Sequence, residues 1–301
     1  MPSMTIRELE PVADAVQFAD LLLATHPWTV TNAAEWLHRR RAIPERARLL
    51  SCVAEADGRI VGAFDAGLNF FGSGDIASLR VWVRPEHRNH GIGSALYDLG
   101  LEHVRSLGAS RATTLFEESL SGVSFATRRG WTEARAETLS LLDPRRVSER
   151  PDPSVDLRPA RELDPRELHR IDEETTRDMP ALEQVDEIDY DEWRNFVWDC
   201  PLFTRDGSFG AVVDGRVASI SLLFASTELG RGMNMFTGTR REHRGHGLAL
   251  AVKLATTAWA AQNGLMQIVT MNDETNVPML AVNRRLGYVA CGRRVEYALD
   301  L

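Results

Sequence analysis

Two stretches of this chain repeat a pattern suited to gripping phosphate. Val83 to Leu96, with Arg88-Asn89-His90-Gly91-Ile92-Gly93-Ser94 inside it, aligns without a gap on Thr239 to Val252, with Arg244-Gly245-His246-Gly247-Leu248-Ala249. The offset is constant and about half the chain, so two copies of one nucleotide-handling unit are expected. A strand that runs through Arg-x-x-Gly-x-Gly into a helix points several unpaired backbone amides at one spot, where the helix dipole adds positive charge. Glycine at 91, 93 and 247, and the small Ala249, let the backbone approach an anion and tolerate positive φ. Arg88 and Arg244 add charge. The dinucleotide fingerprint is excluded because Leu96 stands where a third glycine is needed, and the triphosphate loop is excluded because no Gly-Lys-Ser/Thr occurs.

The elements that must position these loops also occur twice. Thr5–Leu9 and Val155–Pro159 read as opening strands, and helical segments follow each. Asp57-Gly58 and Asp214-Gly215 sit between apolar runs and predict tight hairpins. Ile76–Val83 and Met233–Thr239 read as the strands leading into the loops. Ile92, Ala95, Leu96 and Leu99, then Leu248, Val252, Ala255 and Trp259, recur at helical spacing. Further strands are expected at Arg111–Phe116 and Met266–Met271, then a short helix and a last strand. The expected fold is α/β: a mixed, mostly antiparallel sheet with one parallel crossover, present twice. Three prolines among charges between Asp143 and Ser154 read as a linker, giving domains 1–143 and 155–301.

Arg88-Asn89-His90-Gly91-Ile92-Gly93 and Arg244-Gly245-His246-Gly247-Leu248-Ala249 resemble the pyrophosphate signature of the GNAT N-acetyltransferase superfamily. Asn276-Val277-Pro278-Met279 through Asn283-Arg284-Arg285-Leu286-Gly287-Tyr288 resembles that family's later motif. The resemblance implies two tandem GNAT domains, each with a V-shaped split between strands four and five. It implies acetyl-CoA as co-substrate, held by the two loops together with Val81, Trp82 and Val83 in the first half, and Thr237, Gly238, Thr239, Asn276 and Asn283 in the second. The implied reaction is direct attack by a primary amine of a small molecule in a ternary complex, with backbone amides stabilising charge on the carbonyl oxygen. A non-catalytic coenzyme A sensor and a protein N-acetyltransferase stand as alternatives.

Ser119 and Ala126 occupy the places of Asn276 and Asn283, so the second half is expected to carry the transfer and the first half to bind cofactor or support the fold. Candidate catalytic residues are Asn234, Glu228 and Asn283, with Asp273, Glu274 or a water on Asn234 or Thr237 as further choices of base. Asn283 stands where many family members have a tyrosine acid, and an amide cannot supply a proton usefully. The resemblance implies that Arg177-Asp178-Met179-Pro180, the acidic run Glu183–Asp191 and the apolar cluster of Trp193, Phe196, Val197 and Trp198 lie near the acceptor. His87, His90, His243 and His246 belong to the loops, and no metal is expected.

Composition agrees. The 301 residues, 44% hydrophobic and 26% charged, are ordinary for globular protein. A net charge of −8 argues against a nucleic-acid partner. Cys52, Cys200 and Cys291 are scattered and odd in number, which suits a reducing cytoplasm, and no apolar run suggests a membrane partner. A monomer or homodimer is expected. Lys253 is the one lysine of the sequence.

Overall fold

The computed structural model describes residues 4–70, 75–178 and 188–301. In chain order the first elements are β1 (Thr5–Glu8), α1 (Pro11–Thr25), α2 (Ala33–Ala42), β2 (Leu50–Ala56), β3 (Arg59–Leu68), β4 (Ile76–Val83), α3 (Ile92–Ser106), β5 (Arg111–Glu117), α4 (Leu120–Thr127) and β6 (Thr132–Leu142). The same plan then recurs as β7 (Asp156–Pro159), α5 (Pro165–Thr176), α6 (Tyr190–Trp193), β8 (Phe209–Val213), β9 (Arg216–Ser226), β10 (Arg231–Thr239), α7 (Leu248–Gln262), β11 (Gln267–Asp273), α8 (Val277–Leu286) and β12 (Val289–Asp300).

Local chemistry explains many boundaries. Asn32, Ser119, Asp164 and Asn276 cap α2, α4, α5 and α8, each accepting from a backbone N–H two or three residues on. Asp57 and Gly58 have φ of 52° and 74°, and Asp214 and Gly215 have 50° and 77°, the paired positive values a tight hairpin turn requires.

Two compact units form, Met1–Ala136 with Arg294–Leu301, and Glu137–Arg293. In the first, β1 to β5 lie side by side and Arg294–Asp300 of β12 pairs antiparallel with β5. In the second, β7 to β11 lie side by side and Glu137–Leu142 of β6 pairs antiparallel with β11. Contiguous halves 1–143 and 155–301 therefore differ from the compact units by an exchange of strand ends. A β5 or β11 edge left bare would expose unpaired amides, and the exchanged segment covers it.

Parallel pairing is brief in both units. It holds only for Ile76–Ser78 against Arg111–Thr113, and for Arg231–Met233 against Gln267–Val269. Beyond these residues the strands diverge, which opens a split in each sheet. In the first unit α3 lies on the sheet with Leu96 and Val104 in a core that includes Phe64, Leu79, Trp131, Val295 and Tyr297. Burying a side chain such as Leu96 contributes about 1.5–3 kcal/mol. Gly100 lets α3 approach closely, since a Cβ there would lie 2.5 Å from Leu79 Cδ1. The other face packs on α1 and α2 through Phe18, Leu21, Trp36, Ile60 and Trp82.

Candidate active site

Buried arginines fix the strand ends that launch the loops. Arg84 donates Nε to Ile60 O at 2.9 Å and Nη2 to Asp20 at 2.7 Å, and Arg240 donates Nε to Val217 O and Nη1 to Glu174, both at 2.8 Å. Gly91 (φ 84°) and Gly247 (φ 77°) then begin α3 and α7, and among the described residues no side chain caps either helix. The first intrahelical bonds are Ala95 N to Gly91 O and Ala251 N to Gly247 O. The N–H groups of Ile92, Gly93 and Ser94, and of Leu248, Ala249 and Leu250, precede those bonds and remain available to an anion.

In the first unit a cleft of about 910 Å³ lies along the diverging β4 and β5. Val81, Trp82, Val83, Arg88, Asn89, Gly91, Gly93 and Ser94 line it as the motif suggests. His90 faces solvent, and Ile92 points into the core beneath α3. Three arginines collect at the loop end. Arg88 donates Nε to Val83 O at 3.1 Å, Arg128 reaches Ser124 Oγ at 2.9 Å, and Arg129 donates to Ser94 Oγ at 2.8 Å while stacking 3.6 Å from the Phe125 ring centre.

His26, at the end of α1, and Glu117, at the end of β5, face the same cleft. Thr25 Oγ1 lies 2.9 Å from Leu21 O and 3.0 Å from His26 Nδ1. Its single proton serves the carbonyl, so His26 Nδ1–H donates to it and Nε2 keeps a lone pair. Burial, aided by the fields of Arg294, Arg80 and Arg88, lowers the imidazole to about 4. Burial also raises the Glu117 carboxyl above its ordinary range, and Arg294 opposes that rise. Neither residue stands out in the motif. A lone charge in an apolar strand, as at Arg80 between Leu79 and Val81, was the one legible signal for this part of the site.

The second loop is neutralised from within. Asp178 accepts from Arg241 Nε at 3.0 Å, from Arg241 Nη2, and from Arg244 Nη2 at 2.5 Å. Those arginines hold its carboxyl well below the usual carboxylate range. Gly238 lies under α5, where a Cβ would sit 2.2 Å from Thr175 Oγ1, and Thr239 Oγ1 meets Ser219 Oγ at 2.8 Å. Gly245 and His246 are exposed, while Leu248 is buried against Val252 and Ala211.

Along the second split the polar side chains bind one another. Asn234, 4% exposed, donates Nδ2 to Ser221 Oγ at 2.9 Å and Leu222 O at 3.2 Å, and its Oδ1 accepts from Thr237 Oγ1 at 3.0 Å and from Lys253 Nζ. Thr270 Oγ1 of β11 donates to Asn234 O at 3.2 Å, bridging the strands. Lys253 Nζ also lies 5.1 Å from the Tyr288 ring centre. Asn283 donates Nδ2 to Asn272 Oδ1 at 2.6 Å, its buried Oδ1 has no partner among the described residues, and Asn276 serves as the α8 cap.

The remaining candidates are dispersed. Glu228 is exposed in the turn between β9 and β10, Asp273 accepts from Thr275 N and Oγ1, and Glu274 pairs with Arg293 at 2.9 Å. Trp193 is buried and donates Nε1 to Asp172 at 2.7 Å. Met179, Pro180 and the Glu183–Glu187 part of the acidic run lie outside the described residues. Among the described residues no helix is long and apolar enough to cross a membrane.

Residues 15–131 match the family described as the acetyltransferase (GNAT) family. Over 99% of this chain and 98% of the other, the fold is similar to a tandem GNAT protein from the clavulanic acid biosynthesis pathway, with a TM-score of 0.77 at 24% identity. It is similar, over 99% and 95% of the chains, to a GCN5-related N-acetyltransferase from Sphaerobacter thermophilus, with a TM-score of 0.70 at 20% identity. A putative acetyltransferase from Pyrococcus horikoshii gives 0.60 at 14% identity over 99% and 89%. No curated protein sequence matches the chain.

Proposed function

We propose that this chain, which carries a GNAT acetyltransferase-family domain in its first half and the tandem GNAT fold throughout, moves an acetyl group from acetyl-CoA to a primary amine of a small molecule, and that the first half does the work. One observation carries the assignment of the half. The first loop faces a cleft of about 910 Å³ with Arg88, Arg128 and Arg129 at its rim, whereas the arginines of the second loop are tied to Asp178. Sequence differences at Ser119 and Ala126 direct attention to the second half, yet Asn234 there is committed to internal hydrogen bonds and the Nδ2 of Asn283 to Asn272.

The residues suit the co-substrate. Available amides of Ile92, Gly93 and Ser94 can hold a diphosphate, and a Cβ at Gly91 would project into open space where phosphate oxygens need to approach. Arg129, fixed by Ser94 Oγ and the Phe125 ring, adds a preorganised positive charge. β4 backbone beyond Ser78 has parted from β5, so its polar groups on that side are open to the pantetheine chain of acetyl-CoA were it to lie in the split.

Acetyl-CoA supplies an acyl carbon activated as a thioester. Attack by the amine forms one C–N bond and breaks one C–S bond, the amine loses a proton, and the departing thiolate takes one from water. Glu117 accepts the amine proton, since a carboxyl raised by burial is a better base than an ordinary one. His26, neutral with Nε2 free to accept, orients the amine lone pair towards the carbonyl. Most of the rate comes from holding the two reactants together and from fixed dipoles at the carbonyl oxygen.

Release of free thiol from acetyl-CoA on addition of a panel of primary amines tests the reading. Turnover that Glu117→Gln lowers without weakening acetyl-CoA binding supports it. Binding of acetyl-CoA with no thiol release from any amine favours a sensor, the second reading, which the Ala126 and Asn283 positions support because neither offers a proton to the thiolate.

A further inference from the structure

We infer that the first cleft reads the phosphate on the ribose of coenzyme A as well as the diphosphate, and that Arg128 and Arg129, just past the end of α4, are the residues that read it. This inference rests on the proposed binding of acetyl-CoA in that cleft, and it adds which form of the carrier the cleft selects.

The repeat supplies its own comparison. The aligned loops pair Arg88 with Arg244, Ser94 with Leu250 and Tyr97 with Lys253. Along α4 and α8, the pairing of Ser119 with Asn276 carries Phe125 onto Val282, Arg128 onto Arg285 and Arg129 onto Leu286. In the second unit Leu286 is 4% exposed, in an apolar cluster against which Leu250 and Val282 pack. The fold therefore needs only apolar side chains at these three places. In the first unit a half-buried guanidinium stands there and is held in position. Arg129 donates Nη2 to Ser94 Oγ at 2.8 Å and Nη1 to Phe125 O at 3.3 Å, and it lies 3.6 Å from the ring centre of Phe125 and 5.0 Å from that of Tyr97. Tyr97 is fixed in turn, accepting from Trp131 Nε1 at 3.0 Å. A guanidinium taken partly out of water with no counter-charge costs free energy in the empty protein, and an anion bound beside it removes that cost.

Counter-charges show the same contrast. In the second unit Arg244 is tied to Asp178, and Arg285 donates to Glu149 at 2.7 Å. Among the described residues, none of Arg88, Arg128 and Arg129 forms an ion pair with a carboxylate, and all three line the cleft. The acids around them are placed elsewhere. Glu117 and Glu118, which also line the cleft, precede α4, whereas Arg128 and Arg129 follow its 8 residues, a span of about 12 Å. Glu86 meets Arg59 at 3.9 Å, and Asp98, one turn beyond Ser94 on α3, pairs with none of the three arginines. Ala136 packs on the α3 side of the sheet, so Glu133 points to the other side by the alternation of β6. Coenzyme A presents two separate anions, a diphosphate and a phosphate monoester on the ribose that carries nearly two charges at neutral pH. The amides of Ile92, Gly93 and Ser94, the α3 dipole and Arg88 serve the first. Arg129, in contact with Ser94, and Arg128 beside it are left for the second. Each uses at most two of its five N–H groups within the protein, so paired donors remain for phosphate oxygens.

The test titrates coenzyme A and 3′-dephospho-coenzyme A separately into the full chain by calorimetry. Wild type is expected to bind coenzyme A more tightly by roughly tenfold or more, the range of a charge-assisted contact. Arg129→Leu, which installs the residue of the second unit, and Arg128→Gln, at an exposed position, are each expected to weaken coenzyme A far more than its dephospho form, so that the ratio of the two Kd values moves towards one. Arg129→Lys should keep part of the ratio, since the charge remains while the planar fork is lost. Urea unfolding of each variant accompanies the titrations and checks that it is folded. Equal affinity of the wild type for the two forms, a ratio that survives both substitutions, or variants that weaken both forms by the same factor would overturn the inference. Binding of neither form by the wild-type chain would instead remove the proposed function beneath it.

Discussion

Lys253 gives the sharpest physical test of how the second half is built. Its ammonium is 2% exposed on α7, and burial lowers it from 10.5 to about 7. The sign follows from proton binding. Below 10.5 the unfolded chain holds a proton that the folded chain resists until about 7, so folding loses stability as pH falls between those values and is insensitive to this group below them. At 1.36 kcal/mol per pH unit the cost is about 4 kcal/mol at pH 7 and about 1 kcal/mol at pH 10. Lys253→Met keeps the length and apolar contacts of the side chain and leaves Asn234 Oδ1 with its bond from Thr237. Urea unfolding should show a variant more stable than wild type by a few kcal/mol at pH 7, with a gain that shrinks towards pH 10. A catalytic role for this amine makes the opposite demand, namely loss of turnover. A variant that is no more stable at either pH, or whose gain does not shrink, would refute the reasoning.

Three further outcomes are expected. Asp178→Asn should release Arg241 and Arg244, so that calorimetry at low salt counts two ADP sites per chain where wild type has one; an unchanged count means Asp178 does not neutralise the second loop. Arg84→Ala should cost about 2 kcal/mol in urea unfolding, less than a fully buried pair, because the Asp20 left behind is 59% exposed and stays hydrated. In the pH profile of kcat/KM the acid limb should lie above the ordinary 4.5 of a glutamate, since the base must be deprotonated, and Glu117→Gln should lower kcat by roughly a hundredfold or more and flatten that limb.

Features that depend on local backbone chemistry are legible in the sequence. Positive φ at Asp57-Gly58, Asp214-Gly215, Gly91 and Gly247 is demanded by turn and loop geometry, and residue type alone reports it. The exchange of strand ends is not, because the apolar alternation of β12 is the same whichever strand lies beside it. Asn234 illustrates a second limit. A polar side chain within an apolar strand draws attention as chemistry, yet here Ser221, Thr237 and Lys253, distant in sequence, converge to satisfy it. His26 and Glu117 show the converse, for their unusual proton affinities arise from burial, reinforced at His26 and opposed at Glu117 by Arg294, and all of these meet only after folding.

The assignment of the working half is tested most directly by calorimetric titration of acetyl-CoA into Gly91→Val and Gly247→Val. Both glycines have similar positive φ, 84° and 77°, and both have open space at the Cβ position, so the two substitutions impose comparable strain. The account predicts that Gly91→Val abolishes binding and thiol release while Gly247→Val retains both. Retained binding in Gly91→Val together with loss in Gly247→Val would contradict it.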